Sequence, residues 1–224
     1  MEQIIQTIAI FALPVIFAIT LHEAAHAYVA KYFGDLTAYS QGRVSLNPIV
    51  HIDPVGTILI PTVLAIIYVS TGSGFLFGYA KPVPINYSNL KKPKRDMAWV
   101  ALAGPGANFI MAFAWLLFAT LLQALHVQEE FFMKMADAGV ITNLVMFAFN
   151  LFPIPPLDGG RILFSLLPHK LAYQFAQIEP YGFFIVMGLV MMHVLQFWMG
   201  PVMLIANILL SLCMYPFNLL LGAF

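Results

Sequence analysis

The sequence predicts an all-α polytopic membrane protein, and three observations carry that reading. Hydrophobic residues make up 61% of the 224 and charged residues 9%, with a mean hydropathy of +0.87. A water-soluble domain averages about 45–50% apolar and about 25% charged. The apolar residues fall in long unbroken runs, and lipid admits only helices and closed barrels as spanning structures, so such runs select helices. No stretch is long and polar enough for a separate soluble domain. The expectation is a single domain over 1–224, with about five to six transmembrane helices and a re-entrant hairpin or extended segment near 55–84. Its core covers about 3–167, and accessory helices follow at about 181–222. The formal net charge of +0 gives no indication of nucleic acid or of an acidic substrate.

The first helix is expected from Gln3 to Phe33, with Pro14 as its candidate kink. Met1-Glu2-Gln3 lacks a basic leader region, and cleavage near Ala27 would remove a motif described below, so this run is read as a retained helix. Gly34-Asp35 ends it. Thr37–Asp53 is too hydrophilic for lipid and reads as a turn at Gln41-Gly42 between two short strands. His51 and Asp53 have two readings, as extra metal or proton-handling groups or as loop-fixing residues through Asx-type and capping bonds. Val55–Ser70 is apolar but shorter than the roughly 20 residues of a comfortable span. Gly72, Gly74 and Gly78 lead into the extended K-P-V-P-I-N of residues 81–86. Lys91, Lys92, Lys94 and Arg95 read as an interfacial face binding lipid headgroups.

A helix is expected at about Met97–His126, then a loop with Glu129, Glu130, Lys134 and Asp137. The next apolar segment, about Val140–Leu167, is interrupted at Asn150–Arg161, where Pro153, Pro155 and Pro156 must break helical bonding. Two more helices follow, at about Tyr181–Met199 and Val202–Leu221. His126 and His169 fall at helix ends, while His193 lies inside an apolar run, where it either lines a water path or makes an interhelical hydrogen bond. Cys213 stands alone, which excludes a disulfide framework and a thiolate metal site.

The chemistry concentrates in His22-Glu23-Ala24-Ala25-His26. On a helix the two histidines share a face one turn apart, which is zinc-ligand spacing, and Glu23 is placed as a general base. Ionisable groups in lipid read as functional by default; the alternative is that these side chains only hydrogen-bond to neighbouring helices. A catalytic zinc takes three protein ligands and keeps one open position. The candidate third ligand is Asp158, in the broken part of the segment after Asn150; its other reading is a cap on the following helix.

Asp158 must then lie at the depth of the histidines, roughly 12 Å below the interface marked by Lys31 at 1.5 Å per residue. The first segment and the broken one must therefore run the same way. That holds if 55–79 enters and returns on one side, which also gathers every lysine and arginine except Lys134 near one face. The positive-inside rule makes that face cytoplasmic, with the N-terminus outside and the site opening towards the cytoplasm.

These residues match a known family. The chain resembles the site-2 proteases, intramembrane zinc metalloproteases, through H-E-A-A-H at 22–26, A-G-P-G-A-N at 103–108 and N-L-F-P-I-P-P-L-D-G-G-R at 150–161. S-L-N-P, H-I-D-P-V-G and F-G-Y-A-K-P-V-P look like the small bacterial branch without PDZ or CBS domains. The resemblance implies one Zn2+ per chain held by His22, His26 and Asp158, with Glu23 as base. It implies that Asn150 supports the substrate or the oxyanion. Asn108 matches the polar position of the second motif, as possible substrate or oxyanion support or as an interhelical hydrogen-bonding residue beside a close Gly104 contact. The implied partners are the lipid bilayer of a bacterial cell membrane and a transmembrane protein substrate, single-span by expectation. The extended stretch Gly72–Pro84 offers a strand edge for an unwound substrate. Two other classes stand beside this one. A membrane metal transporter predicts sites through both halves of the membrane and has no use for Glu23. A catalytically silent chaperone of the same fold predicts a lost base or ligand, and none is missing.

Overall fold

The computed structural model describes residues 2–60, 62, 63, 66, 78 and 80–221. Its α-helices in chain order are α1 (Glu2–Tyr32), α2 (Thr37–Ser40), α3 (Pro93–Ala124), α4 (Glu130–Asn150), α5 (Asp158–Leu166), α6 (His169–Ala176), α7 (Glu179–Met191) and α8 (Gln196–Leu221). Short helical turns occupy Pro48–Val50, Pro54–Leu59 and Tyr87–Asn89. The all-α membrane architecture is as expected. Among the described residues, four helices, α1, α3, α4 and α8, are long and apolar enough to cross a bilayer, fewer than the five to six expected. α7 has 13 residues, or about 20 Å at 1.5 Å per residue, short of the roughly 30 Å hydrocarbon core. Half of the expected 55–84 hairpin, residues 61, 64, 65, 67–77 and 79, falls outside the described residues.

α3 is the central helix and packs against α1, α4, α5 and α8. Two apolar clusters hold it. Met111, Trp115 and Ala119 meet Met135 and Ala136 of α4. Ala112 meets Leu144 of α4 and Ala206 and Leu210 of α8. The outer faces remain exposed and apolar, as at Ile8, Ile110, Phe184 and Leu212, which is the surface a helix presents to lipid.

Three boundaries differ from the sequence reading. α4 begins at Glu130 rather than about Val140, because the charged stretch forms helix through a Lys134–Glu130 pair four residues apart. No strand flanks Gln41-Gly42. α2 closes there on local bonds from Gly42 N–H to the Tyr39 carbonyl and from Arg43 N–H to the Ala38 carbonyl. The run expected at Tyr181–Met199 stops at Met191, and His193 takes φ +57° with the Val194 N–H on the Leu189 carbonyl. That left-handed closure ends a helix without glycine or proline. His126 closes α3 in the same way, at φ +54°.

One end of the bundle is tied together by backbone. The Lys91 N–H bonds to the Phe33 carbonyl, and the Lys81 N–H to the His51 carbonyl. The Lys94 ammonium bonds to the Leu167 carbonyl. The ends of the 52–80 stretch therefore meet on one side. His51 Nε2 donates to the Ser45 carbonyl, and Asp53 Oδ1 accepts from the Val55 and Gly56 N–H groups. These are loop-fixing bonds.

Asp35 holds this end closed. Its Oδ1 accepts from the Thr37 N–H, the Thr37 hydroxyl and Asn89 Nδ2, and its Oδ2 from the Asn86 N–H. Burial works to raise the Asp35 pKa, but the bonds from Thr37, Asn86 and Asn89 outweigh it and hold the value below the ordinary 3.8. Asp35→Ala leaves these donors without their acceptor and is expected to lower stability by about 1–3 kcal/mol, read by thermal unfolding in detergent. A depressed folded pKa gives stability that is present above pH 3.8 and lost as pH falls through the folded value. The Asp35→Ala protein is expected to lack that component of acid destabilisation.

Candidate metal centre

Helical spacing puts His22 and His26 on one face of α1, and α3 crosses that face antiparallel. A Cβ on Gly104 would collide with the His26 Nε2 and His22 Cε1 atoms. The glycine of A-G-P-G-A-N is therefore what lets α3 approach the two imidazoles. Opposite them, Pro153, Pro155 and Pro156 stop α4 beyond Asn150, and the chain turns through 151–157 before α5 starts at Asp158. Gly159 permits this tight return, since a Cβ there would run into the Leu151 and Phe152 carbonyls.

The result is a triangle of donor atoms. His22 Nε2 and His26 Nε2 lie 3.1 Å apart, and each lies 3.2 Å from Asp158 Oδ2. All three residues are buried, at 4–5% exposure. Donors about 2.0–2.1 Å from a tetrahedral zinc stand about 3.3–3.4 Å apart, so the triangle has the right size for one face of that site. Hydrogen bonding agrees. His26 Nδ1 donates to the Val100 carbonyl at 2.7 Å and His22 Nδ1 to Asn108 Oδ1 at 2.6 Å. With the protons on Nδ1, each Nε2 presents a lone pair. Asp158 Oδ2 is buried and accepts no hydrogen bond, despite its nearness to both rings. Three lone pairs thus point at one place, an arrangement suited to a cation. Asp158 does not act as a helix cap.

Asn108 makes the interhelical hydrogen bonds of one of its two readings. It is fully buried, and its amide is committed: Oδ1 faces His22, while Nδ2 donates to the Ala18 carbonyl at 3.2 Å and to Asn143 Oδ1 at 3.0 Å. These bonds let Asn108 orient His22. Asn143, which the sequence reading passed over, in turn donates to the Gly139 carbonyl at 2.8 Å. The backbone carbonyls accept only, so they set the direction of both amides and hence the His22 tautomer. The available signal was an asparagine two turns before Asn150 in an apolar helix.

A cavity of about 690 Å³ opens beside the triangle, lined by His22, Glu23, Ala80, Pro82, Asn150 and Arg161 among others. Half-buried Glu23 points Oε2 at the Val83 N–H, 2.8 Å away. Asn150 Nδ2 donates one hydrogen to the Met146 carbonyl. Contacts of Ala18 and Asn143 with the same Asn108, followed in each chain direction by His22 and Asp158, show that α1 and α4 run parallel.

Comparison with known proteins agrees with this geometry. The family model described as peptidase family M50 matches residues 128–195. A Bacillus subtilis (strain 168) protein named "Putative zinc metalloprotease YwhC" is 41% identical over 179 residues, covering 76% of this chain and 74% of that protein. The chain belongs to peptidase family M50. A Mycolicibacterium smegmatis protein named "Putative zinc metalloprotease Rip2" is 30% identical over 185 residues, covering 81% of this chain and 66% of that protein. No solved structure matches. The resemblance to the site-2 proteases is thus met, and this M50 peptidase is an integral membrane metalloprotease.

Gly104→Ala is expected to displace an imidazole and abolish stoichiometric zinc in the purified protein. Asn143→Leu is expected to keep the fold and weaken zinc retention against a competing chelator by roughly 10- to 100-fold, the usual effect of losing an outer-shell partner.

Proposed function

We propose that this M50 peptidase is an intramembrane zinc endopeptidase, with His22, His26 and Asp158 as metal ligands and Glu23 as general base. It hydrolyses a peptide bond within or near the transmembrane segment of a membrane protein, single-span by preference. The observation that carries this reading is the convergence of three unpaired lone pairs beside a cavity that also holds a carboxylate and a free amide hydrogen. When bound, zinc supplies a water acidified towards neutral pH and a polarised substrate carbonyl.

The remaining work falls to side chains. Glu23 is fixed through Oε2, which leaves Oε1 to take a proton from water and return it to the leaving amine. Asn150 keeps one Nδ2 hydrogen for the developing oxyanion. The described part of the extended stretch supports the strand-edge role poorly. Pro82 and Pro84 have no N–H, and the Lys81 and Val83 N–H groups are already donated.

The polar end of the bundle supports the proposed orientation. Tyr39 stacks under the Lys31 ammonium, the Arg43 guanidinium reaches the Lys81 carbonyl, and Lys91 and Lys94 bond to residues 33 and 167. Lys134 sits at the start of α4. This clustering supports a cytoplasmic placement for that end in a bacterial cell membrane, with the N-terminus outside.

Glu23→Gln is expected to retain zinc and lose turnover of a transmembrane test substrate that wild-type protein cleaves in a chelator-sensitive manner. Asn150→Ala is expected to lower kcat about 10²–10³-fold with zinc unchanged. Cleavage surviving in Glu23→Gln removes Glu23 as the base; zinc without any chelator-sensitive cleavage favours a metal-binding role. A cysteine introduced at Ser73 is expected to resist an impermeant thiol reagent applied outside intact cells.

A further inference from the structure

The stretch Lys81-Pro82-Val83-Pro84 contains one feature the mechanism above leaves unexplained. Proline lacks an N–H, so between residues 82 and 84 only Val83 offers a backbone donor, and that donor is spent on Glu23. Pro84 also restricts Val83 to extended backbone. The Val83 side chain is buried at 5% exposure in a cluster with Ala27 and Ala38, against which Val44 and Ile85 pack. Ala27 stands one turn after Glu23 on the same face of α1. Side chain and N–H of Val83 therefore dock on adjacent positions of the helix that carries the candidate base.

The stretch is held from behind at Lys81, whose two backbone groups are both tied to the polar loop after α2. Its N–H bonds to the His51 carbonyl at 3.0 Å, and its carbonyl accepts from Arg43 Nη2 at 2.7 Å. Arg43 is itself buried at 6% exposure, and its Nη2 also lies 3.4 Å from the Pro82 carbonyl. His51 is fixed in turn by its bond to the Ser45 carbonyl. The chain of contacts runs from Arg43 and His51 through Lys81 to Val83 and ends on the Glu23 carboxylate.

We propose that Arg43 and the Val83 backbone N–H are positioning elements for the catalytic base. The Arg43–Lys81 bond seats the return stretch, and the single N–H left between the two prolines fixes the Glu23 carboxylate rotamer, turning Oε1 to the water it deprotonates. This rests on Glu23 being the base, as proposed above. It gives the polar loop and the K-P-V-P stretch a role in the reaction that neither family membership nor the metal ligands supply.

The contact can be tested without substrate. Hydrogen–deuterium exchange read residue by residue by NMR on isotope-labelled protein resolves the Lys81 and Val83 amides separately, and Pro82 and Pro84 contribute none. In Glu23→Ala, Val83 exchange is expected to accelerate at least about tenfold while Lys81 stays protected; in Arg43→Ala, both accelerate. Equal protection of Val83 in wild type and Glu23→Ala overturns the proposal. The kinetic arm uses proteoliposomes and a fluorescence-quenched synthetic transmembrane peptide. Replacing Val83 by α-hydroxyvaline, which exchanges the N–H for an ester oxygen, is expected to lower kcat roughly 10- to 100-fold with zinc stoichiometry and KM retained. Val83→Ala, which keeps the N–H and trims the side chain, is expected to lose far less. An ester variant with wild-type kcat, or with only KM changed, overturns the proposal, the second outcome assigning the N–H to substrate docking. A wild-type protein that does not cleave the peptide counts against the proposed function, and the exchange arm still decides the contact.

Discussion

Three lone pairs turned towards one point inside an apolar bundle are the constraint on which the rest of the structure depends. Two imidazole nitrogens and a carboxylate oxygen at 3.1–3.2 Å repel one another unless a proton or a metal cation sits among them. Each polar group withdrawn from water without a partner costs roughly 2–7 kcal/mol. Helices that hold such a triangle need a firm frame, and α3 provides it. From its one face come the Val100 carbonyl, the Asn108 amide and the bare Cα of Gly104, all directed at α1. The A-G-P-G-A-N motif is thus a seat for two histidines.

The polar groups around the centre form one directed system. It starts at backbone carbonyls that only accept, passes through Asn143 and Asn108, and ends at His22 with its proton on the nitrogen away from the triangle. In lipid no water is at hand to rescue a misdirected amide, so each side chain must find its partner within the protein. The same necessity explains the broken backbone after α4. Asp158 can face the histidines only where the helix has stopped, and proline-rich, glycine-tight chain is tolerated at that depth because it borders a cavity.

Much of this was legible in the residues. His22 and His26 four apart, Glu23 beside them and Asp158 among prolines and glycines pointed to a candidate metal site, and the apolar runs to helices. The parallel course of α1 and α4 followed from requiring equal depth. Other features were hidden for identifiable reasons. Glu130 and Lys134 read as loop because their charge outweighed the pairing that a helix gives them. His193 closes α7 in a left-handed conformation that composition does not signal. Asn143 carried no motif, and Asn108 fitted two roles equally well until its neighbours were known.

The sequence by itself determined what depends on near neighbours along the chain: the long apolar helices, the break at Pro153–Pro156 and the candidate donors His22, His26 and Asp158 with Glu23 beside them. Periodicity and backbone stereochemistry act over a few residues, so they can be read locally. Only the tertiary structure decided which groups meet. His22 and Asn108 are 86 residues apart and Glu23 and Val83 are 60 apart, yet each pair shares a hydrogen bond. Such pairings arise from helix packing, which selects partners by shape and by the need to satisfy every buried polar atom, and neither leaves a local mark on the chain.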